Sequence, residues 1–244
     1  MKEMFFIIYF IIIAYFALGA VGFYIINRKK PKESAAKSWR KYLSYFFIIN
    51  ILFFAITLNS MAFRLLSILI TAISLFEISR LYVKSGFKNR KVFLSAAAIL
   101  VICSFCFYGF STMQKGTILF TFIIISIFDS FSQISGQLFG HKKIFPSISP
   151  NKTLEGLIGG VVIALFSAVI LRDLYPGNIP AVLLTTTGII IFAFAGDISA
   201  SYYKRIFQVK DFSNLIPGHG GFLDRFDSLI AAGAFQGLIQ VVIQ

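Results

Sequence analysis

Charge is scarce in this chain of 244 residues: 14% of it is Asp, Glu, Lys or Arg, where a soluble domain carries about a quarter. That scarcity excludes disorder and an ordinary water-soluble fold together. Acids number only ten, and histidines and cysteines two each. Cys103 and Cys106 both lie inside the apolar run 92–110. A thiol redox pair sits at an exposed helix start, so these two are read as small packing residues, and nothing implies an oxidising compartment. The histidines, His141 and His219, have no thiolate beside them, which argues against the softer metals. Low-complexity linkers, a soluble domain and internal repeats are also lacking.

Hydrocarbon is what the sequence has in excess. Hydrophobic residues make up 57%, with thirty Phe, and the mean hydropathy is +0.83. Several apolar runs reach the ~20 residues that cross a bilayer as a helix. The fold expected is all-α and polytopic, with about eight transmembrane helices over 5–26, 42–58, 63–82, 92–110, 117–137, 156–172, 179–198 and 226–244. The first run is long and ends at Arg28, Lys29 and Lys30, which favours a retained span over a cleaved signal. Residues 138–155 are where a further or half-inserted helix would escape this count.

The net charge of +13 falls in short blocks between the apolar runs, a pattern of membrane topology rather than of nucleic-acid binding. With the N-terminus outside, all Lys and Arg except Lys2, Arg64, Lys115 and Arg172 lie on the inner side. The two halves differ. Residues 1–116 read as a scaffold of helices joined by basic loops. Residues 117–244 hold seven of the ten acids and both histidines, so chemistry is expected there.

An acid near the bilayer centre costs roughly 2.5–3.5 kcal/mol even on a lenient insertion scale, so it needs a reason. Asp129 falls well inside the fifth expected span, Asp197 at the inner end of the seventh, and Asp224 and Asp227 at the start of the eighth. The plain explanation for the last two is a favourable charge at a helix N-terminus. Four acids on one side, among several basic residues, point further. Asp197, Ser201 and Lys204 follow i, i+4, i+7 and share a helical face; Asp224 and Asp227 follow i, i+3. Carboxylates so spaced suit Mg²⁺, which takes one or two of them with substrate phosphates and water.

Between the last two spans the chain reads Ser201-Tyr202-Tyr203-Lys204-Arg205, then Lys210-Asp211, then Pro217-Gly218-His219-Gly220-Gly221, ending Asp224-Arg225-Phe226-Asp227. Glycines let backbone N–H groups form an anion nest, and Lys and Arg contact phosphates. Upstream, Asn151-Lys152-Thr153-Leu154-Glu155-Gly156 opens the sixth span. Asn151 or Thr153 can cap it and Gly156 with Gly160 permits close packing. Lys152 is unsuited to a helix N-terminus and makes better sense facing a phosphate.

These residues carry a resemblance. The run from Ser201 to Asp227 is similar to the signature of the phosphatidate cytidylyltransferase (CDP-diacylglycerol synthase) family. The elements are Ser, two residues, Lys-Arg, four residues, Lys-Asp, Pro-x-His-Gly-Gly and Asp-Arg-x-Asp, in order. The stretch from Asp129 through Gly136, Gly140 and Ser149 to Gly156 resembles a second conserved block. Departures occur at Phe131-Ser132-Gln133, Asn151, Leu154, Ala200 and Tyr203.

The resemblance implies Mg²⁺-dependent transfer of CMP from CTP to phosphatidic acid, giving CDP-diacylglycerol and pyrophosphate in phospholipid biosynthesis. It implies Asp197, Asp224 and Asp227 as ligands of one or two magnesium ions, with Ser201. Lys204, Arg205 and Lys210 would bind phosphates. Gly218, Gly220 and Gly221 would cradle pyrophosphate, and His219 would either donate to the leaving oxygen or only shape the turn. Asp129, Lys152, Thr153, Glu155 and Arg225 would line the substrate side. The partners implied are CTP, phosphatidic acid, the bilayer and, as an open possibility, a second copy of the chain, but no nucleic acid. The location implied is a bacterial inner membrane with the site facing the cytoplasm. Two other readings stay open: a CTP-dependent enzyme of another lipid, whether a lipid-alcohol kinase or a different cytidylyltransferase, and an ion-binding transporter.

Overall fold

The computed structural model describes residues 2–28, 32–216 and 220–243. Among them are eight α-helices: α1 (Lys2–Asn27), α2 (Lys32–Leu58), α3 (Ser60–Lys84), α4 (Arg90–Ser111), α5 (Lys115–Phe139), α6 (Leu154–Ile170), α7 (Ile179–Ile206) and α8 (Leu223–Ile243). Five contain stretches long and apolar enough to cross a membrane, namely α1, α3, α4, α5 and α7, while Tyr42–Leu58 of α2 and all of α6 are shorter apolar helices. The outward side chains are those of a lipid-facing surface: Phe105, Leu184 and Phe10 are 80%, 76% and 74% exposed. In water such a surface would drive association; in hydrocarbon it costs nothing.

The fold is an α-helical membrane bundle with one addition. Residues 138–155 hold neither a further span nor a half-inserted helix. They form a small antiparallel hairpin of β1 (Lys143–Phe145) and β2 (Ser149–Thr153). Its closing contact is the Leu154 amide donating to the Lys142 carbonyl at 2.8 Å.

Helix contacts are made by small residues, as expected where no hydrophobic force separates protein from lipid. Gly156 and Gly160 of α6 lie against α5, where a Cβ on Gly156 would come within 2.6 Å of the Ser132 carbonyl oxygen and one on Gly160 within 2.8 Å of that of Phe128. Gly196 brings α7 against α8, a Cβ there lying 2.6 Å from the Asp227 carbonyl oxygen. Gly233 meets the rings of Phe107 and Phe110 on α4. Cys103 and Cys106 are free and half-buried on α4, the Cys106 backbone touching α8 at Gly237.

The two ends of the bundle are chemically distinct. At one end Lys115 donates to the carbonyls of Thr57 and Leu58 at 2.7 and 3.2 Å, capping the C-terminus of α2 with a cation. At the other end meet the C-termini of α3 and α7, the hairpin, and the N-termini of α6 and α8. Tyr203 there donates to the Ile78 carbonyl at 2.9 Å, and Arg205 to the Ile148 carbonyl at 3.0 Å.

Candidate active site at the hairpin end of the bundle

α7 continues unbroken through Lys204 and Arg205 to Ile206, so Asp197, Ser201 and Lys204 do share a face. Ser201 is buried and its hydroxyl makes a long 3.4 Å contact with the Asp197 carboxylate. The second carboxylate oxygen of Asp197 pairs with the Lys152 ammonium, delivered by β2. That ammonium also lies 4.5 Å from the centre of the Phe194 ring, a favourable cation–π placement. Lys152 is thus an acid's partner rather than a helix-capping misfit.

Three carboxylates from three helices lie within electrostatic range of one another here. Asp129 of α5, Asp197 of α7 and Asp227 of α8 are close enough for their charges to interact, with Lys152, Arg225 and Lys204 the opposing charges nearby. Asp129 remains exposed, and Asp197 and Asp227 are half-buried. Asp227 also accepts from the Ser228 amide at 2.7 Å. Like charges gathered in a weakly screened region repel unless a cation joins them.

Asp224 is placed differently. Its side chain is 3% exposed and pairs with Lys204 at 2.5 Å. Its other oxygen accepts the amides of Phe212 and Gly221 at 2.9 and 2.8 Å. Of the three acids the sequence offered as metal ligands, this one is committed to protein donors, while Asp129, expected among the substrate contacts, stands with Asp197 and Asp227. Lys204 is correspondingly tied to Asp224 and lies 5.3 Å from the centre of the Phe212 ring.

The glycine-rich segment is partly in view. Gly218 and His219 lie outside the described residues. Gly220 has φ of +85° and a Cβ on it would sit 2.8 Å from the Asp211 carboxyl carbon, so glycine is required there. The Gly221 amide is given to Asp224, which leaves that N–H unavailable to an anion. Lys210 is exposed and makes no ion pair or hydrogen bond among the described residues. Arg205 is exposed, held through Nε to Ile148 and through Nη1 to the Val209 carbonyl at 3.3 Å. Arg225 sits half-buried in the first turn of α8.

Two of the expected substrate contacts also hold the backbone. Thr153 is the N-cap of α6, its hydroxyl accepting from the Gly156 amide at 3.2 Å. Glu155 accepts the amides of His141 and Lys142 at 3.0 and 3.2 Å, fastening the end of α5 to the start of α6.

One polar residue of the site region was missed from sequence. Glu77 of α3 is fully buried and accepts three hydrogen bonds, from the Ser213 hydroxyl at 2.5 Å and from the amides of Phe222 and Leu223 at 2.8 and 2.7 Å. The signal was present: it is the single acid of the apolar run 63–82, and a lone intramembrane acid asks for a partner.

Among the described residues no three His, Cys, Asp or Glu side chains converge into a ready-made metal cage. The donor set nevertheless fits Mg²⁺, which binds through one or two carboxylates and completes its shell with substrate oxygens and water. Asp197 and Asp227, on helices that pack closely at Gly196 and within electrostatic range of each other, would be the two carboxylates to hold it.

The family model described as "Cytidylyltransferase family" matches residues 2–242. Among similar proteins are the phosphatidate cytidylyltransferases of Staphylococcus epidermidis, 40% identical over 152 residues, and of Bacillus subtilis, 40% identical over 157 residues. That of Staphylococcus aureus is 37% identical over 151 residues. The matched stretches cover 59%, 61% and 59% of this chain and 58% of each relative's length. With nearly its whole length matched by the family model, this chain belongs to the cytidylyltransferase family.

Proposed function

We propose that the protein is a phosphatidate cytidylyltransferase, transferring CMP from CTP to phosphatidic acid with Mg²⁺ as the metal. The observation that carries the reading is Asp197 of α7 held by Lys152 of the hairpin and by Ser201, with Asp129 and Asp227 within electrostatic range; the names of the bacterial relatives support the substrates. Both substrates are polyanions. A phosphate oxygen of the lipid bonds to the α-phosphorus of CTP, and the bond from that phosphorus to the bridging oxygen breaks, releasing pyrophosphate. Such a reaction asks for charge neutralisation and in-line placement more than for proton transfer.

Asp197 and Asp227 hold the metal, which when bound neutralises phosphate charge and orients the reacting groups. Lys152 opposes phosphate charge from the hairpin side while keeping Asp197 in place. Lys210 and Arg205, exposed at the mouth, draw the nucleotide in. Asp224 fixes Lys204 and the base of the glycine-rich segment. The charge bias of the loops supports a cytoplasmic site, where CTP is found, in a bacterial inner membrane.

The test is CTP labelled in its cytosine, given to the purified protein in lipid micelles with phosphatidic acid present or omitted. Label in a CDP-lipid, together with pyrophosphate release, is the expected result. Release of free CDP with a phosphorylated lipid would show a kinase instead, and no phosphatidate-dependent label would overturn the proposal.

A further inference from the structure

Glu77 belongs to α3, in the half whose sequence reads as scaffold, yet its three hydrogen bonds reach the two flanks of one segment. The Ser213 hydroxyl lies before that segment, and the Phe222 and Leu223 amides lie after it. Asp224 repeats the arrangement one layer away, taking the Phe212 amide from one flank and the Gly221 amide from the other. Within, the Ile216 amide closes on the Gly220 carbonyl at 3.0 Å. The base of the glycine-rich loop is therefore stapled by two carboxylates, one from its own chain neighbourhood and one from a helix far away in sequence.

The Phe222 and Leu223 amides also belong to the unpaired N–H groups that open α8. By taking both, Glu77 fixes the axial position and rotation of the helix that presents Asp227 to Asp197. We infer that Glu77 is a positioning residue of the CMP-transfer reaction, holding the glycine-rich loop and the start of α8 in register with α7. The inference rests on the function proposed above. Glu77 touches no substrate; it acts through the loop and through Asp227.

The roles of its two oxygens make the test specific. Oε1 receives Ser213 and Phe222, and Oε2 receives Leu223. In Glu77→Gln one oxygen keeps its donors, Ser213 and Phe222, while the new amide group confronts the Leu223 amide, so the first amide of α8 is released. Misplacement of reacting groups by about an ångström costs on the order of a hundredfold. The expected outcome for Glu77→Gln is a fall in kcat/KM for CTP of about tenfold or more, with the KM for CTP itself raised and the KM for phosphatidic acid within about twofold of the unaltered protein. Amide hydrogen exchange in 213–216 and 220–223 should accelerate at least about tenfold, while α4 and the rest of α8 keep their protection.

A purely structural role lowers the number of folded molecules, and that cannot separate the two Michaelis constants or confine faster exchange to one loop. Ser213→Ala removes one of the three bonds at a half-exposed position, so it remains informative if the Glu77 variant fails to fold; a smaller fall of the same kind is expected. Phe76→Leu, on the exposed lipid side of α3, is the control and should behave as the unaltered protein. The inference is overturned if Glu77→Gln keeps the original kcat/KM for CTP, if faster exchange spreads evenly over α3 and α8, or if folded Ser213→Ala shows neither effect. If the unaltered protein transfers no CMP at all, the proposed function falls, and the exchange measurement alone decides whether Glu77 holds the loop.

Discussion

Neutralising Asp224 tests whether that acid is a structural clamp or an open metal ligand. The Asp224 and Lys204 side chains are 3% and 11% exposed and joined at 2.5 Å. Breaking one side of a buried pair costs about 3–5 kcal/mol, because the surviving charge is stranded. Asn keeps an oxygen for the Phe212 and Gly221 amides, which puts Asp224→Asn at the lower end, about 3 kcal/mol. For a chain of this size each kcal/mol moves the midpoint roughly 2–4 °C, so a drop of about 6–12 °C is expected. Removing both charges relieves the stranded ammonium, so Asp224→Asn with Lys204→Met should regain most of that drop while remaining inactive. The assay is thermal unfolding in detergent at one fixed scan rate, followed by circular dichroism, with CTP turnover read on the same preparations. An Asp224→Asn protein as stable as the original, or a double variant no more stable than the single one, would refute the clamp.

Other outcomes follow from the same geometry. Asp227→Asn relieves repulsion from Asp197 and Asp129, so stability should hold or rise while turnover falls by about a hundredfold or more, as judged by unfolding and labelled-CTP assays; Asp197→Asn should lose turnover alike but also give up its pair with Lys152. Chelation with EDTA should abolish CMP transfer and added Mg²⁺ restore it; full activity in excess chelator would remove the metal from the proposal. Gly156→Ala drives a Cβ to 2.6 Å from the Ser132 carbonyl oxygen and should destabilise by about 1–3 kcal/mol, measured by unfolding. Tyr203→Phe deletes the 2.9 Å bond to Ile78 and should cost about 1 kcal/mol with turnover per folded molecule unchanged.

Helix positions were legible because hydrocarbon imposes one solution on long apolar runs: backbone polar groups must be satisfied within the segment. The hairpin at 143–153 was not, because its strands are three and five residues long, too short for alternation to register, and one carries Pro150. The i, i+3 spacing of Asp224 and Asp227 suggested a shared ion, yet three residues advance a helix by about 300°, and at its first turn that difference was enough to bind one acid to Lys204 and the loop amides and leave the other within range of Asp197 and Asp129. The loop side of Asp224 depends on Phe212 and Gly221 amides whose direction no residue pattern encodes. Glu77 was the reverse case: visible as an isolated acid, but with partners 136 to 146 positions away, beyond any local pattern. Thr153 and Glu155 satisfied the helix-start rules that the sequence already displayed.

α7 is 28 residues long, which at 1.5 Å per residue is about 42 Å, against a hydrocarbon slab of about 30 Å. If Ile179 marks one face of that slab, Asp197 stands roughly 27 Å along, just short of the opposite face, Ser201 close to it, and Lys204 and Arg205 in the layer of glycerol and phosphate beyond. The helix is thus a ruler. On the function proposed above, it would set the acids at the height of a lipid phosphate, so that the lipid would react with its tails still dissolved and only the water-borne nucleotide would have to travel.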